Sequence, residues 1–166
     1  MRYSLIKPND VANGEGVSVS LWTQGCPHHC KGCFNQSTWN YEDGKEFTQA
    51  DCDYILSILN KDNIKRNFSV LGGEPLCPEN IEGVLSLVET IKRNFPDIKI
   101  YVWTGYIFEE LINKYSVGIF KFIDVLIDGK FEKELKDLSL LLRGSKNQRV
   151  IDVNKSLKSG SVVSYI

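Results

Sequence analysis

Apolar runs of strand length recur along this chain, and each stops at a glycine or a small polar cluster before a helical pattern begins. Val17 to Trp22 ends ahead of Gly25, Phe68 to Leu71 runs into Gly72-Gly73, Ile98 to Trp103 is stopped by Thr104-Gly105, and Phe122 to Ile127 ends at Asp128-Gly129-Lys130. Between them lie helical stretches. Thr48 and Asp51 form a capping-box pattern ahead of Ile55, Ile58 and Leu59. Pro78 suits a helix start, with Ile81, Val84, Leu85, Val88 and Ile91 following at helical spacing. Ile107, Leu111, Ile112 and Tyr115 make a short amphipathic helix. Continuous apolar strands alternating with helices predict a parallel sheet covered on both faces. The last stretch reads as two more strands, Arg149 to Val153 and Val162 to Ile166, separated by a short polar turn.

With 166 residues the chain suits one compact domain. A closed eight-stranded β/α barrel typically takes about 250 residues, so the expectation is an α/β fold with a mostly parallel sheet, a partial (open) β/α barrel. In such folds the carboxyl ends of the strands form the ligand face. Cys26, Gly72 to Pro75, Thr104 and Asp128 all fall just past a strand and therefore converge on one edge of the sheet.

Composition excludes several classes. Lys plus Arg is 20 against 21 Asp plus Glu, a net charge of -1 that leaves no electrostatic footprint for nucleic acid or a membrane surface. The most apolar stretch, Val117 to Ile127, is broken by Lys121 and Asp124 and falls short of the roughly 20 apolar residues of a spanning helix. Met1 to Pro8 has no apolar run to act as a signal peptide. The expected location is the cytoplasm, where thiols stay reduced.

Three of the five cysteines crowd together as Cys26-x3-Cys30-x2-Cys33, while Cys52 and Cys77 stand alone. An odd count in a reducing compartment points to metal or catalytic use. Zinc would need a closed set of four ligands, with His28 or His29 supplying the fourth. A four-iron cluster normally takes four cysteines, and three would leave one iron open. Cys52 reads as a small core residue. Cys77 is less settled, lying just past the second chemical signal, Gly72-Gly73-Glu74-Pro75. There two glycines let backbone approach a ligand and Pro75 stiffens the exit.

Cys26, Cys30 and Cys33 followed by Gly72-Gly73-Glu74-Pro75 resemble the radical S-adenosylmethionine enzymes. The resemblance narrows through Gly25-Cys26-Pro27-His28-His29-Cys30-Lys31-Gly32-Cys33-Phe34-Asn35, Trp103-Thr104-Gly105-Tyr106, Asp124 to Phe131 and Arg143 to Arg149. Together and in this order, these strings are similar to the activating proteins of anaerobic (class III) ribonucleoside-triphosphate reductase, over nearly the whole chain. The resemblance implies that residues 1–166 are a single radical S-adenosylmethionine domain. It implies a [4Fe–4S] cluster on Cys26, Cys30 and Cys33, its open iron chelated by S-adenosylmethionine, and the backbone of Gly72 to Glu74 accepting from the methionyl ammonium. One electron from a flavodoxin-like or ferredoxin-like donor would then yield methionine and a 5′-deoxyadenosyl radical. That radical would take a hydrogen from a glycine of the reductase large subunit, the activity of an oxidoreductase that generates a glycyl radical. Many members carry an aromatic just before the third cysteine. Here Gly32 stands there and Phe34 follows the cysteine, so the backbone from Gly32 to Phe34 is the first choice for holding the adenine.

The remaining candidates each carry two readings. Asp128 and Lys130 bind the methionyl or ribose groups, or form a solvated charged turn. Thr104 offers a hydroxyl to the ligand or caps a helix. His28 and His29 shape the thiol loop rather than ligate. Asn35 bonds near the cluster or caps a turn. Arg143, Asn147, Gln148 and Arg149 meet the reductase or are surface charge; Phe120 and Phe122 are core. Other readings of the whole chain are a formate-lyase activator, a small enzyme rearranging a pterin-like substrate, and a non-enzymatic zinc-binding interaction module.

Overall fold

The computed structural model describes residues 1–166. Seven strands form one sheet: β1 (Arg2–Asp10), β2 (Ser18–Thr23), β3 (Lys45–Glu46), β4 (Asn67–Gly72), β5 (Ile100–Trp103), β6 (Val125–Asp128) and β7 (Arg149–Asp152). Their order across the sheet is β3-β1-β2-β4-β5-β6-β7. The centre, β2-β4-β5-β6, is parallel, whereas β1 runs antiparallel to β2, β3 to β1 and β7 to β6. The fold is thus an open α/β sheet of mixed direction. The four expected strands form its parallel centre. The expected sheet lacked β1, whose Arg2 to Asp10 alternates too loosely with polar residues to stand out, and the two-residue β3.

Four helices accompany the strands: α1 (Gln49–Leu59), α2 (Ile81–Asn94), α3 (Phe108–Lys114) and α4 (Val153–Ser159). The capping box is formed, Asp51 Oδ2 accepting from both the amide and the hydroxyl of Thr48 at 2.8 Å. Pro78 lies just before α2, which starts at Ile81. Val117–Phe122 winds as a 3₁₀ segment, so strand β6 begins only at Val125.

The C-terminal reading needs correction. Where a polar turn was expected, Asp152 Oδ1 accepts from the Lys155 amide at 2.9 Å and opens α4. After it, Val162 to Ile166 forms no strand; Ser164 makes a single bridge to Ile151.

Expectation also put helices on both faces of the sheet. Instead, residues of all four helices, among them Ile55, Val84, Phe108 and Val153, pack with Val19, Leu21, Phe68, Val70, Ile100, Val102 and Leu126 in one core. The opposite face carries Ser18, Ser20, Ser69, Tyr101, Val125 and Ile127. No helix covers it. The 11–17 loop lies there instead: Ser69 Oγ donates to the Asn13 carbonyl (2.7 Å) and Asn67 Nδ2 to the Glu15 carbonyl (2.9 Å). A Cβ on Gly14 would stand 2.8 Å from Ser18 Oγ and 3.0 Å from Ser69 Oγ, at a φ of +110. Small serines in the strands and a glycine in the loop are what this close approach requires. Asp10 anchors the loop by accepting from the Ala12 amide, Asn13 Nδ2 and Ser20 Oγ at 2.7 to 3.0 Å. No helix is long and apolar enough to cross a membrane.

Candidate metal and cofactor site

A cleft of about 460 Å³ opens beyond the carboxyl ends of β2, β4, β5 and β6, lined by residues from the loops that follow them. Cys26, Cys30 and Cys33 line it, with Gly32 and Phe34 of the same loop; so do Gly72, Gly73, Glu74 and Thr104. Pro75, Asp128 and Lys130 do not. A separate depression of about 360 Å³ lies between α2 and Val117–Phe122, lined by residues such as Leu85, Glu89 and Lys121. It gathers no groups with evident chemistry.

The thiol loop is shaped by backbone bonds. The Gly25 amide donates to the Thr38 carbonyl (2.8 Å) and the Cys26 amide to the Trp39 carbonyl (3.1 Å). Gly25 has φ +94 and its α-carbon faces the Tyr41 ring, where a side chain would collide. His29, at φ +47, stacks on Trp39 with centroids 4.5 Å apart. The Asn35 amide donates to Cys33 Sγ at 3.4 Å, and the backbone of His28 and His29 near Cys26, and of Phe131 near Cys30, pulls those two thiols toward the thiolate. Amides aimed at sulfur favour the thiolate, the form that binds metal. Burial works against this, pushing the Cys26 thiol up to about 11 and raising that of Cys30. Coordination to iron offsets that penalty by replacing the proton.

The structure draws no group of three or more His, Cys, Asp or Glu side chains together as a ready site for one metal ion. A single zinc ion would need its thiolates at about 2.3 Å. A four-iron cube bonds each cysteine at a different corner and so takes thiols that line a wall without meeting at a point. The imidazoles are committed elsewhere: His28 Nε2 lies 2.8 Å from Glu74 Oε2, and its ring meets Tyr106 edge-on at 4.6 Å.

Glu74 ties the loops together. Oε1 accepts from the Leu76 amide (2.9 Å) and the Thr104 hydroxyl (2.7 Å), and Oε2 from the Gly105 amide (2.6 Å) beside His28. A buried carboxylate with this many donors is fully satisfied. Thr104 Oγ1 in turn accepts from the Tyr106 amide at 3.1 Å. Both side chains serve the frame of the cleft. At Gly73 three segments meet: its amide donates to Thr23 O (2.8 Å), and a Cβ there would strike the carbonyls of Gly25 and Thr38. The Gly73 carbonyl accepts no hydrogen bond within the chain, which leaves it available to a ligand's donor.

Asp128 is fully buried, accepting from the Phe108 amide (2.8 Å) and from Arg149 Nε (2.9 Å). Arg149 also reaches Glu109 at 2.6 Å, and these two carboxylates raise its already high affinity for a proton. The pair fastens β6, β7 and α3 behind the cleft. Lys130 is exposed, its carbonyl accepting from Asn147 Nδ2 at 2.8 Å. Gln148 pins the 129–148 segment, accepting from the Gly144 amide and donating to Gly129 O. Arg143 donates to Gln148 O at 2.6 Å. Cys52 is in the helix-side core, and Cys77 is fully buried with its thiol pushed up to about 12 by that burial. Asn35 approaches Cys33 through its backbone amide and precedes the Gln36–Thr38 turn without a side-chain cap, its Nδ2 buried and unpartnered. Phe120 is core, whereas Phe122 only packs against its margin.

Several lining residues carried no motif, notably Ala12, Asn13, Leu138 and Leu140. They reach the cleft through tertiary placement of the 11–17 and 129–148 loops.

Comparison with known proteins agrees with this arrangement. Residues 12–151 match the family described as a 4Fe-4S single cluster domain. An anaerobic ribonucleoside-triphosphate reductase-activating protein of Escherichia coli (strain K12) is 45% identical over 151 residues, 90% of this chain and 97% of the relative. Proteins of the same description from Haemophilus influenzae and Enterobacteria phage T4 are 45% and 43% identical over 149 and 150 residues, covering 89% and 90% of this chain and 96% and 93% of theirs. The chain therefore belongs to the family of anaerobic ribonucleoside-triphosphate reductase-activating proteins.

Proposed function

We propose that this chain is a radical S-adenosylmethionine activase that generates the glycyl radical on the large subunit of anaerobic ribonucleoside-triphosphate reductase. The observation that carries the reading is the pairing, across one cleft, of a loop with three cysteines and a Gly72-Gly73 turn with a free carbonyl. The similarity to named activating proteins over 90% of the chain supports the partner. Residues 1–166 would act as one radical S-adenosylmethionine domain whose open sheet is part of a barrel.

Cys26, Cys30 and Cys33 would hold the [4Fe–4S] cluster. Once loaded, cluster and S-adenosylmethionine supply reductive cleavage of a carbon–sulfur bond, giving methionine and the 5′-deoxyadenosyl radical that abstracts hydrogen. The protein binds and orients. The Gly73 carbonyl would accept from the methionyl ammonium, and backbone from Gly32 to Phe34 would border the adenine. Asp128 would support the ligand face through Arg149 and α3, with Lys130 at the exposed margin. Glu74 keeps the turn, the thiol loop and β5 in one geometry. An external one-electron donor of flavodoxin or ferredoxin type completes the reaction, in a cytoplasmic setting without nucleic acid or membrane.

The test is 5′-deoxyadenosine release after anaerobic reconstitution with iron and sulfide and addition of a strong reductant, with Cys30→Ala alongside. Release that disappears in the variant, and a glycyl radical signal on adding the reductase large subunit, support the reading. A chain that holds zinc and releases nothing overturns it.

A further inference from the structure

The most exposed large apolar side chains of this chain are Leu138 (89%), Phe34 (85%), Val11 (75%) and Leu141 (69%). They come from three separate segments, and each lies in or next in sequence to a stretch that lines the cleft. Phe34 and Leu138 line the cleft itself, Val11 precedes the lining residues Ala12 and Asn13, and Leu141 stands between the lining residues Leu140 and Leu142. Single exposed apolar residues are ordinary on a protein surface; a set gathered around the mouth of one site marks an interaction surface.

The apolar surface also extends outward. Phe34 meets Trp22 edge-on at 6.1 Å, and Leu5, itself half exposed, is the cross-strand neighbour of Trp22. On the opposite lip, acidic side chains are paired with lysines, Glu134 with Lys31 at 3.5 Å and Asp137 with Lys146 at 3.6 Å. Lys136 and Arg143 also line the cleft, so the rim combines apolar side chains with positive charge.

Val11 and Leu141 do not line the cleft, so a small substrate held inside would gain nothing from them. A polypeptide lying across the mouth would cover them. Building on the proposed function, we infer that Val11, Phe34, Leu138 and Leu141 form the seat for the reductase large subunit, taking an extended segment whose apolar side chains flank the glycine presented to the cleft. The chemistry fits the geometry: main-chain hydrogen abstraction requires that segment to pass over the opening, and apolar anchors hold it there without competing for the polar groups inside.

The experiment measures anaerobic binding of the reconstituted protein to the reductase large subunit, with wild type, Val11→Ser/Leu141→Ser, and Val11→Ile/Leu141→Met as the conservative control. Both positions are exposed, so the fold is undisturbed. The serine variant is expected to raise the Kd about tenfold or more, to keep 5′-deoxyadenosine release without the reductase at the wild-type rate, and to recover glycyl radical yield at saturating reductase. The conservative variant should bind like wild type. An unchanged Kd in the serine variant overturns the inference. So does a wild-type dimer that the same substitutions dissociate, since a second copy would then cover the ring. Binding is read without turnover, so wild type that binds through the ring yet releases no 5′-deoxyadenosine sinks the radical reading alone.

Discussion

His28 Nε2 and Glu74 Oε2 lie 2.8 Å apart, with 7% and 1% of their side chains exposed. One residue belongs to the thiol loop after β2 and the other to the glycine turn after β4, so this contact joins the two halves of the site. Because the same carboxylate also holds Thr104 and Gly105, it sets the spacing between three strand ends at once.

Glu74→Gln replaces one acceptor oxygen by an amide that faces donors already in place. The Leu76 or the Gly105 amide, which cannot reverse its role, is then opposed, and stability should fall by about 2 kcal/mol, the scale for leaving buried polar groups unsatisfied. Urea unfolding of the wild type and variant checks this. Iron should still load, since no ligand is removed, but 5′-deoxyadenosine release should drop. An unchanged unfolding midpoint would show that the network contributes nothing.

Asp128→Ala should act on the frame. It strands a partly buried guanidinium and removes the acceptor for the first amide of α3. Breaking a buried pair costs about 3–5 kcal/mol; with Arg149 roughly a third exposed and still bonded to Glu109, about 2 kcal/mol is expected. The measurement is chemical denaturation beside S-adenosylmethionine titration. Lost affinity at full stability would instead make Asp128 a direct ligand.

Acid should release the 11–17 loop. Burial alone would raise the Asp10 carboxyl, but hydrogen bonds from Asn13, Ser20 and the Ala12 amide outweigh it and hold the group below its ordinary value of 3.8. A depressed carboxyl stabilises the fold above the unfolded value and loses that contribution as pH falls through the folded one. Stability from this group should therefore be level from neutral pH to about 5 and decline below about 4. Asp10→Asn should flatten that acid limb, read from unfolding midpoints across pH. A variant with the wild-type acid slope would exclude Asp10 as its source.

Cys77→Ala separates three-cysteine ligation from a fourth thiol. Cys77 is sealed in the core and absent from the cleft lining, so iron content after reconstitution should match wild type, at a stability cost of about 1 kcal/mol. Cys30→Ala should lose most of its iron under the same assay. Equal losses in both would bring Cys77 into the ligand set.

The parallel centre was legible because Val19, Val70, Val102 and Leu126 sit in runs that end at glycine or polar punctuation. Those ends also marked Cys26, Gly72 and Thr104 as neighbours. Side-chain roles were harder to read. Asp128 at a strand end looks the same in sequence whether it faces a ligand or, as here, Arg149, because the partner lies 21 positions away. Glu74 shows the same limit: its position in the turn was evident, its four donors were not. The rim escaped notice for a different reason. Leu138 and Leu141 sit in a leucine-rich segment whose pattern suits burial, and only the tertiary path of the 129–148 loop turns them to solvent.

The reversal of direction at both flanks of the sheet has one more consequence. A parallel sheet grows by adding strand-helix units of the same direction, and β1 and β7, running the other way, end that repeat. The short β3 and the tail residues Val163 to Tyr165, which bond to Asp152 and Val150, then occupy parts of the outer edges. The sheet is therefore held at seven strands by its own edges, and no further strand-helix unit of the central direction can be appended to either side.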